Sequence, residues 1–368
     1  MKGFDEKQWG KFDVFGENGF LRIAATSSSI DSIRLKDGNE KCVPYVTRSE
    51  AVNGIARFVS ENNYDFGSDK AGCITVGLDT QTAFYQPHKF VTGQNIQIVT
   101  GDSLNEDSAH FYITILKNQM DAKFNWGGNG ATLSRMKRLE AMLPVSDVGS
   151  PDYEYMSEYI SQKRKVLLGK YRKYLIQRIN ELGECSHIPP ITQKKWEPFS
   201  ISDIFTILPG KRLVAAHSTP GDRPFIGALD NSNGVARFVN DTNASLDKNV
   251  LGVNYNGNGM VIGFYHPYEC IFSDDVKRFH LKHHEDNAFV LLFMKVTILQ
   301  QKSKFGYLYK FNAERMANTR IMLPATDDGS PDYEYMEQYA KNLMIRKYKQ
   351  YLAYLDSKEK SAPAATNN

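Results

Sequence analysis

The segment MLPVSDVGSPDYEYM at 142–156 returns as MLPATDDGSPDYEYM at 322–336, 180 residues later and identical at 12 of 15 positions. Shorter phrases keep the same offset: NGIARFV at 53–59 with NGVARFV at 233–239, FYQP at 84–87 with FYHP at 264–267, and Arg135-Met136 with Arg315-Met316. KQWGKF at 7–12 parallels KKWEPF at 194–199, where the offset has grown to 187 because the connecting loops differ in length. A repeat of this period means that one folding unit has been written twice, over about 1–182 and 194–356. Any fold for the chain must therefore be built from two copies of one plan.

The length of 368 residues with 41% hydrophobic content allows each copy a core of its own. Four scattered cysteines (Cys42, Cys73, Cys185, Cys270) have no paired metal spacing. The chain has neither a leader-like start nor an apolar run of membrane-spanning length, so a reduced, cytoplasmic protein is expected. A formal net charge of +3 is too small to identify a partner. Any polyanion would have to be met by local patches.

Each copy divides in two. The first part mixes short apolar runs (CITVGL, IQIV, FYITIL, GMVIGFY, FVLLFM) with Gly, Asn and Asp turns, which predicts short strands and a few helices. The shared Asn-Gly of VNGIARF and SNGVARF is a tight-turn signal that suits a hairpin or a purely structural corner. The second part begins at the repeated phrase. Ser150-Pro151-Asp152 and Ser330-Pro331-Asp332 suit a helix start, with Ser as N-cap, Pro in the first turn and Asp at the positive end of the dipole. Apolar or aromatic residues then recur at 156, 160, 167, 171, 175, 179 and 182, and at 336, 340, 343, 348, 351 and 355, as one helical face. Gly169 interrupts the first helix at a cost of roughly 1 kcal/mol against Ala. Thirty helical residues reach about 45 Å, too far to lie on one small domain. The two helices can pair side by side as a spacer, the economical arrangement, or each can fold back on its own globular part.

This order of parts, globular domain, MLP exit and long helix written twice, resembles the specificity subunits of type I restriction-modification systems and of the related BcgI-like type IIB systems. GATLSRMKRLEAMLP at 130–144 and FNAERMANTRIMLP at 311–324 are similar to the segment that closes such a domain before its helix. The resemblance covers nearly the whole chain. The two helices match strongly only at their starts, so it fixes no pairing register. It implies an α+β fold: a mixed α/β target recognition domain at 1–149, a long helix at 150–183, a second such domain at 184–329, a second helix at 330–358 and a disordered tail at 359–368. The helices would pair as an antiparallel coiled-coil spacer. It further implies a non-catalytic subunit, without cofactor or metal, that reads a split, non-palindromic sequence in double-stranded DNA. Its partners would be methyltransferase subunits together with a restriction subunit or a fused methyltransferase-nuclease, and no membrane. A spacer of about 45 Å compares with roughly 34–36 Å for one turn of duplex.

Base reading needs Arg, Lys, Asn or Gln on projecting elements. Divergent loops are the place to look, because shared sequence should carry scaffold and differing sequence should carry different targets. In the first copy these considerations select Arg34, Lys36, Arg48 and Lys70. In the second they select Lys211, Arg212, Arg223, Asn231, Lys248, Asn254, Asn256 and Asn258. Arg57 and Arg237 lie in the repeated NG-ARF phrase and suit shared phosphate positioning. A solvated surface charge is the ordinary alternative for each. The run QKRKVLLGKYRKYLIQR at 162–178 holds seven basic residues and no acid, suiting spacer phosphates, an acidic partner or plain solvation.

Catalytic patterns are weak. DVFGENG at 13–19 is a lone Gly-rich stretch, and no methyltransferase tetrapeptide of the Asn-Pro-Pro-Tyr kind accompanies it. HLKHHED, with His280, His283 and His284, lacks a second ligand cluster. Neither a nucleophile elbow nor a Walker loop is present. A two-site carbohydrate- or protein-binding module and a nuclease of unfamiliar sequence stay open as alternatives.

Overall fold

The computed structural model describes residues 3–124, 130–257 and 259–361. The chain forms two compact units, 1–171 and 172–368. In the first, the strands are β1 (Trp9–Asp13), β2 (Arg22–Ala25), β3 (Val43–Val46), β4 (Ile55–Val59), β5 (Cys73–Gly77), β6 (Ala83–Gln86), β7 (Val91–Thr92), β8 (Ile96–Thr100) and β9 (Glu140–Pro144). Its helices are α1 (Glu106–Lys123), α2 (Leu133–Met136) and the start of α3 (Tyr153–Leu182). The second unit repeats the plan with β10 (Trp196–Ser200), β11 (Phe205–Pro209), β12 (Pro220–Ile226), β13 (Val235–Val239), β14 (Val250–Asn254), β15 (Gly263–His266), β16 (Ile271–Phe272), β17 (Val276–Leu281) and β18 (Arg320–Pro324). With them go α4 (Ile201–Ile204), α5 (Ala288–Leu299), α6 (Ala313–Asn318) and α7 (Tyr333–Ser361).

Each unit holds a four-stranded sheet, β2-β8-β5-β6 or β11-β17-β14-β15, and a three-stranded sheet, β4-β3-β7 or β13-β12-β16. A two-stranded ribbon, β1-β9 or β10-β18, completes each. The registers agree in detail, including a bulge at Tyr45/Val46 and at Phe225/Ile226. Ile74, Val76 and Val99 of one four-stranded sheet pack with Tyr112, Leu116 and Met120 of α1; Leu251, Val253 and Phe279 of the other pack with α5. Alternation along the strands places these residues on one face, where the amphipathic helix covers them.

The Asn-Gly turn differs from a two-residue hairpin. The loops 47–54 and 227–234 are longer, and Asn53 and Asn233 sit near their ends with φ 57° and 53°. Gly54 and Gly234 follow with φ 77° and 73°, a left-handed pair that Asn and Gly adopt at least cost.

The repeated phrase forms the joint between ribbon and long helix. Here the expected Ser cap is corrected to Asp. Helices α3 and α7 start at Tyr153 and Tyr333, and Asp152 and Asp332 accept hydrogen bonds from the N–H groups of Tyr155 (3.0 Å) and Tyr335 (2.9 Å). Pro151 and Pro331 lie outside the helix, bridged to Val145 and Ala325, because the chain is still extended there. Lys7 and Lys194, just before each ribbon strand, pair with Asp152 and Asp332 at 2.6 and 2.5 Å. Their ammonium groups also lie over the rings of Tyr155 and Tyr335. Met156 and Met336 enter the two cores, while Trp9 and Trp196 stack on Phe111 and Phe293.

The single-face reading of the long helices also changes. Met336 packs into the domain core, yet Ile345, which is fully buried, lies about 180° around the helix from it at 3.6 residues per turn. Leu343 and Tyr351 of the expected face are exposed. The first turns serve the domain and later turns serve another neighbour, so one stripe cannot run the whole length. Within the second unit that neighbour is the C-terminal part of α3 and the linker after it: Arg172 pairs with Asp356 at 2.5 Å, and Ser186 exchanges hydrogen bonds with Asn342. Residue numbers rise along one segment as they fall along the other, so these contacts run antiparallel. Helix α7 continues to Ser361, and the tail from 362 lies outside the described residues. Among the described residues, no helix is long and apolar enough to cross a membrane.

Candidate nucleic-acid interface

In the first unit, a hollow of about 260 Å³ beside the three-stranded sheet is lined by Asp31, Ser32, Tyr45, Arg48, Arg57 and Gln94, among others. It brings together two of the predicted residues. Arg48 is tied to Asp79. Arg57 is exposed on β4, where its backbone pairs with Tyr45 and its side chain makes no hydrogen bond or ion pair among the described residues. Arg34 and Lys36 gather instead around Phe66, with Lys36 also paired to Asp65 at 2.8 Å. Lys70 is exposed in the turn before β5.

The second unit treats its residues differently. Arg237, the counterpart of Arg57, lies 4.0 Å over the Phe225 ring and donates to the Leu213 carbonyl at 2.9 Å. Tyr45 stands where Phe225 stands, and its hydroxyl donates to the Ile30 carbonyl at 2.7 Å. Arg223 is held by Glu269 and by the carbonyls of Asn240 and Asp241. Asn254 is 1% exposed and its amide donates to Leu229 at 2.6 Å. It therefore presents no face to a base and serves as scaffold, a correction to its selection by loop divergence. Asn256 donates to Asp275 and is partly open. Lys211, Arg212, Asn231 and Lys248 are exposed, with Arg212 at 4.0 Å from Asp274. Asn258 lies outside the described residues.

One basic and aromatic group is invisible to a comparison of the two copies. The run QKSKFGYLYKFNAER at 301–315 supplies Lys302, Lys304, Lys310 and Arg315 around Phe305, Tyr307 and Tyr309. Interleaving of cations and aromatics is the sequence signal that marks it. The basic run of α3, by contrast, is partly neutralised: Arg164 pairs with Glu106 and Asp107, Arg172 with Asp356 and Arg178 with Glu181.

The titratable groups offer little chemistry. Burial pushes the Cys73 and Cys270 thiols up to about 12 and lowers His266 to about 4. His280 is engaged at both ring nitrogens, by Asp286 (2.6 Å) and Asp247 (2.9 Å), and these hydrogen bonds raise its pKa despite burial. Arg278 completes this network by bonding Asp247 and the Pro209 carbonyl. His284 faces Tyr333 and its own chain. Among the described residues no group of three or more His, Cys, Asp or Glu side chains is arranged to hold a metal ion.

Comparison with known proteins fits this duplicated surface. The family model of the type I restriction modification DNA specificity domain matches twice, at residues 18–168 and 193–352. The chain is 41% identical over 303 residues to the type II restriction enzyme BcgI specificity subunit of Heyndrickxia coagulans, covering 82% of this chain and 86% of that one. Among solved structures, it is similar to the type I restriction-modification S subunit from M. genitalium, with TM-score 0.46 and 13% identity, over 97% of this chain and 94% of that one. The HsdS subunit from Thermoanaerobacter tengcongensis gives TM-score 0.32 and 12% identity, over 88% and 86%. The chain belongs to the type I restriction-modification DNA specificity family and carries two of its domains in tandem.

Proposed function

We propose that the chain reads a split, non-palindromic sequence in double-stranded DNA, one domain to each half-site, with an unread gap between them. Subunits of this family supply specificity and leave catalysis to methyltransferase partners. The observation that carries the reading is the contrast between joint and surface. Lys7–Asp152 and Lys194–Asp332 are built alike, whereas the equivalent arginines Arg57 and Arg237 are respectively free and anchored. A shared scaffold that presents different polar surfaces suits two different half-sites.

The Arg172–Asp356 pair between α3 and α7, with the Ser186–Asn342 bonds between the linker and α7, supports a spacer in which the two long helices pair as a coiled coil. Partners would be methyltransferase subunits and a restriction subunit or a fused methyltransferase-nuclease, in the cytoplasm. Mapping of methylated bases in the native host, with and without this gene, tests the reading. A bipartite motif that vanishes with the gene is expected; a continuous palindrome, or no dependence on the gene, overturns it.

A further inference from the structure

The turn at 306–309 has an anomalous tip. Gly306 and Tyr309 exchange backbone hydrogen bonds at 3.1 and 3.0 Å, which leaves Tyr307 and Leu308 at the two corners. Corners of tight turns are ordinarily Gly, Pro, Asn, Asp or Ser, for conformational and hydration reasons. Here they are large apolar side chains, 85% and 96% exposed. The turn is held from below, because Tyr309 stacks on Phe305 (5.7 Å, 8°) and Arg315 covers the Tyr309 ring at 3.8 Å while donating to the Lys310 carbonyl. A firm base with an apolar tip is the form of a probe.

The surroundings say what it probes. Over residues 302–320 the chain carries Lys302, Lys304, Lys310, Arg315 and Arg320 against the single acid Glu314. Grooves open on both sides of the turn: one is lined by Asn256, Lys302 and Lys310, the other by Lys304, Arg315 and Arg320. An apolar tip flanked by cations on both sides matches a groove whose two walls are phosphates and whose floor is base edges. A projecting turn with two large side chains at its tip fits the major groove of about 12 Å better than the minor groove of about 6 Å. Apolar side chains there pack on the thymine methyl group.

We infer that the Tyr307-Leu308 turn enters the DNA major groove and determines part of the second half-site by apolar contact, with Lys302 and Lys304 on the flanking phosphates. This rests on the DNA-reading function proposed above. The test uses the full chain and a randomised duplex pool, followed by titration of the selected duplex at several salt concentrations. Tyr307→Ser with Leu308→Ser should weaken binding by about 10- to 100-fold and relax one or two positions of a single half-site. Its salt slope and thermal unfolding should match those of the unaltered chain. Tyr307→Phe with Leu308→Met should retain selectivity. Lys302→Ala with Lys304→Ala should instead weaken binding to all sequences and lower the salt slope by about 0.9 for each phosphate no longer neutralised. If the unaltered chain selects no duplex, the DNA-reading function itself fails. If it selects one and the double serine variant selects the same sequence with equal affinity, only the role of the turn is overturned. Loss of methyltransferase association with unchanged DNA selection would also overturn it, by making the tip a protein contact.

Discussion

Replacing Asp152 by Ala removes two things at once from the first joint: the acceptor that caps α3 and the partner of Lys7. An N-cap is worth about 1 kcal/mol, within a range of roughly 0.5–2. The ion pair is neither exposed nor fully buried, with side chains 13% and 21% exposed, so its loss falls between the small value of a surface pair and the about 3–5 kcal/mol of a buried one. About 1 kcal/mol is a conservative share, giving about 2 kcal/mol in all. For a unit of this size that lowers Tm by about 4–8 °C. Asp152→Asn keeps an amide oxygen that can cap and loses the charge, so it should cost about half as much. Burial raises the Asp152 carboxyl pKa, but Lys7 and the Tyr155 N–H outweigh burial and hold it below the usual 3.8. A depressed carboxyl stabilises the fold above its unfolded value and loses that contribution as pH falls through the folded one. The difference between the native chain and Asp152→Asn should therefore be full at neutral pH, begin to shrink near the unfolded value of about 3.9 and be lost only as pH falls through the lower folded value. Calorimetry of the full chain reads the loss. Equal effects of Ala and Asn, or a loss under about 0.5 kcal/mol, would show that cap and ion pair do not both hold the joint.

The divergence of the paired arginines makes a further prediction: Arg57→Ala should weaken duplex binding and leave Tm within about 1 °C of the native value. Arg237→Ala should destabilise the second unit by about 1–2 kcal/mol through loss of the Phe225 and Leu213 contacts, read by the same calorimetry. In the second unit, His280 has a raised pKa set first by its hydrogen bond to Asp286. Its contribution is full below the unfolded value of about 6.5 and is lost as pH rises through the folded value. Denaturation midpoints of that unit should fall across this interval, and the fall should disappear in His280→Gln. Thr100 stands in its place in the first unit, where no matching change is expected.

Much of the plan is legible in the sequence because a repeat exposes its own scaffold. NG-ARF, FY-P and the Met-Leu-Pro exit all fall on equivalent elements, and the joint residues are identical because the ribbon, the cap and the core methionine must meet in one geometry. The cap is the exception. Ser and Asp are equally good N-caps, and only the position of Lys7 across 145 residues of chain decides between them. The helical faces are blurred by a change of neighbour along α7, which periodicity averages away. Site residues are the least legible part. Divergence between the copies singles out Asn254 and Arg223, yet they lie in β14 and β12 and spend their hydrogen bonds inside the fold, because the neighbouring loop carbonyls of Leu229 and Asp241 lack ladder partners. The 306–309 turn is hidden from a search for Arg, Lys and Asn because its tip is an exposed tyrosine and leucine.

Exchange of one domain is the decisive measurement for two independent readers on one scaffold. The segment 1–149 is replaced by the corresponding part of the Heyndrickxia coagulans relative, joined at the repeated phrase, and the sequence bound by the hybrid is determined from a randomised duplex pool. One half-site should change while the other half-site and the gap length stay the same. A change in both half-sites, or in neither, would be incompatible with one domain reading each half.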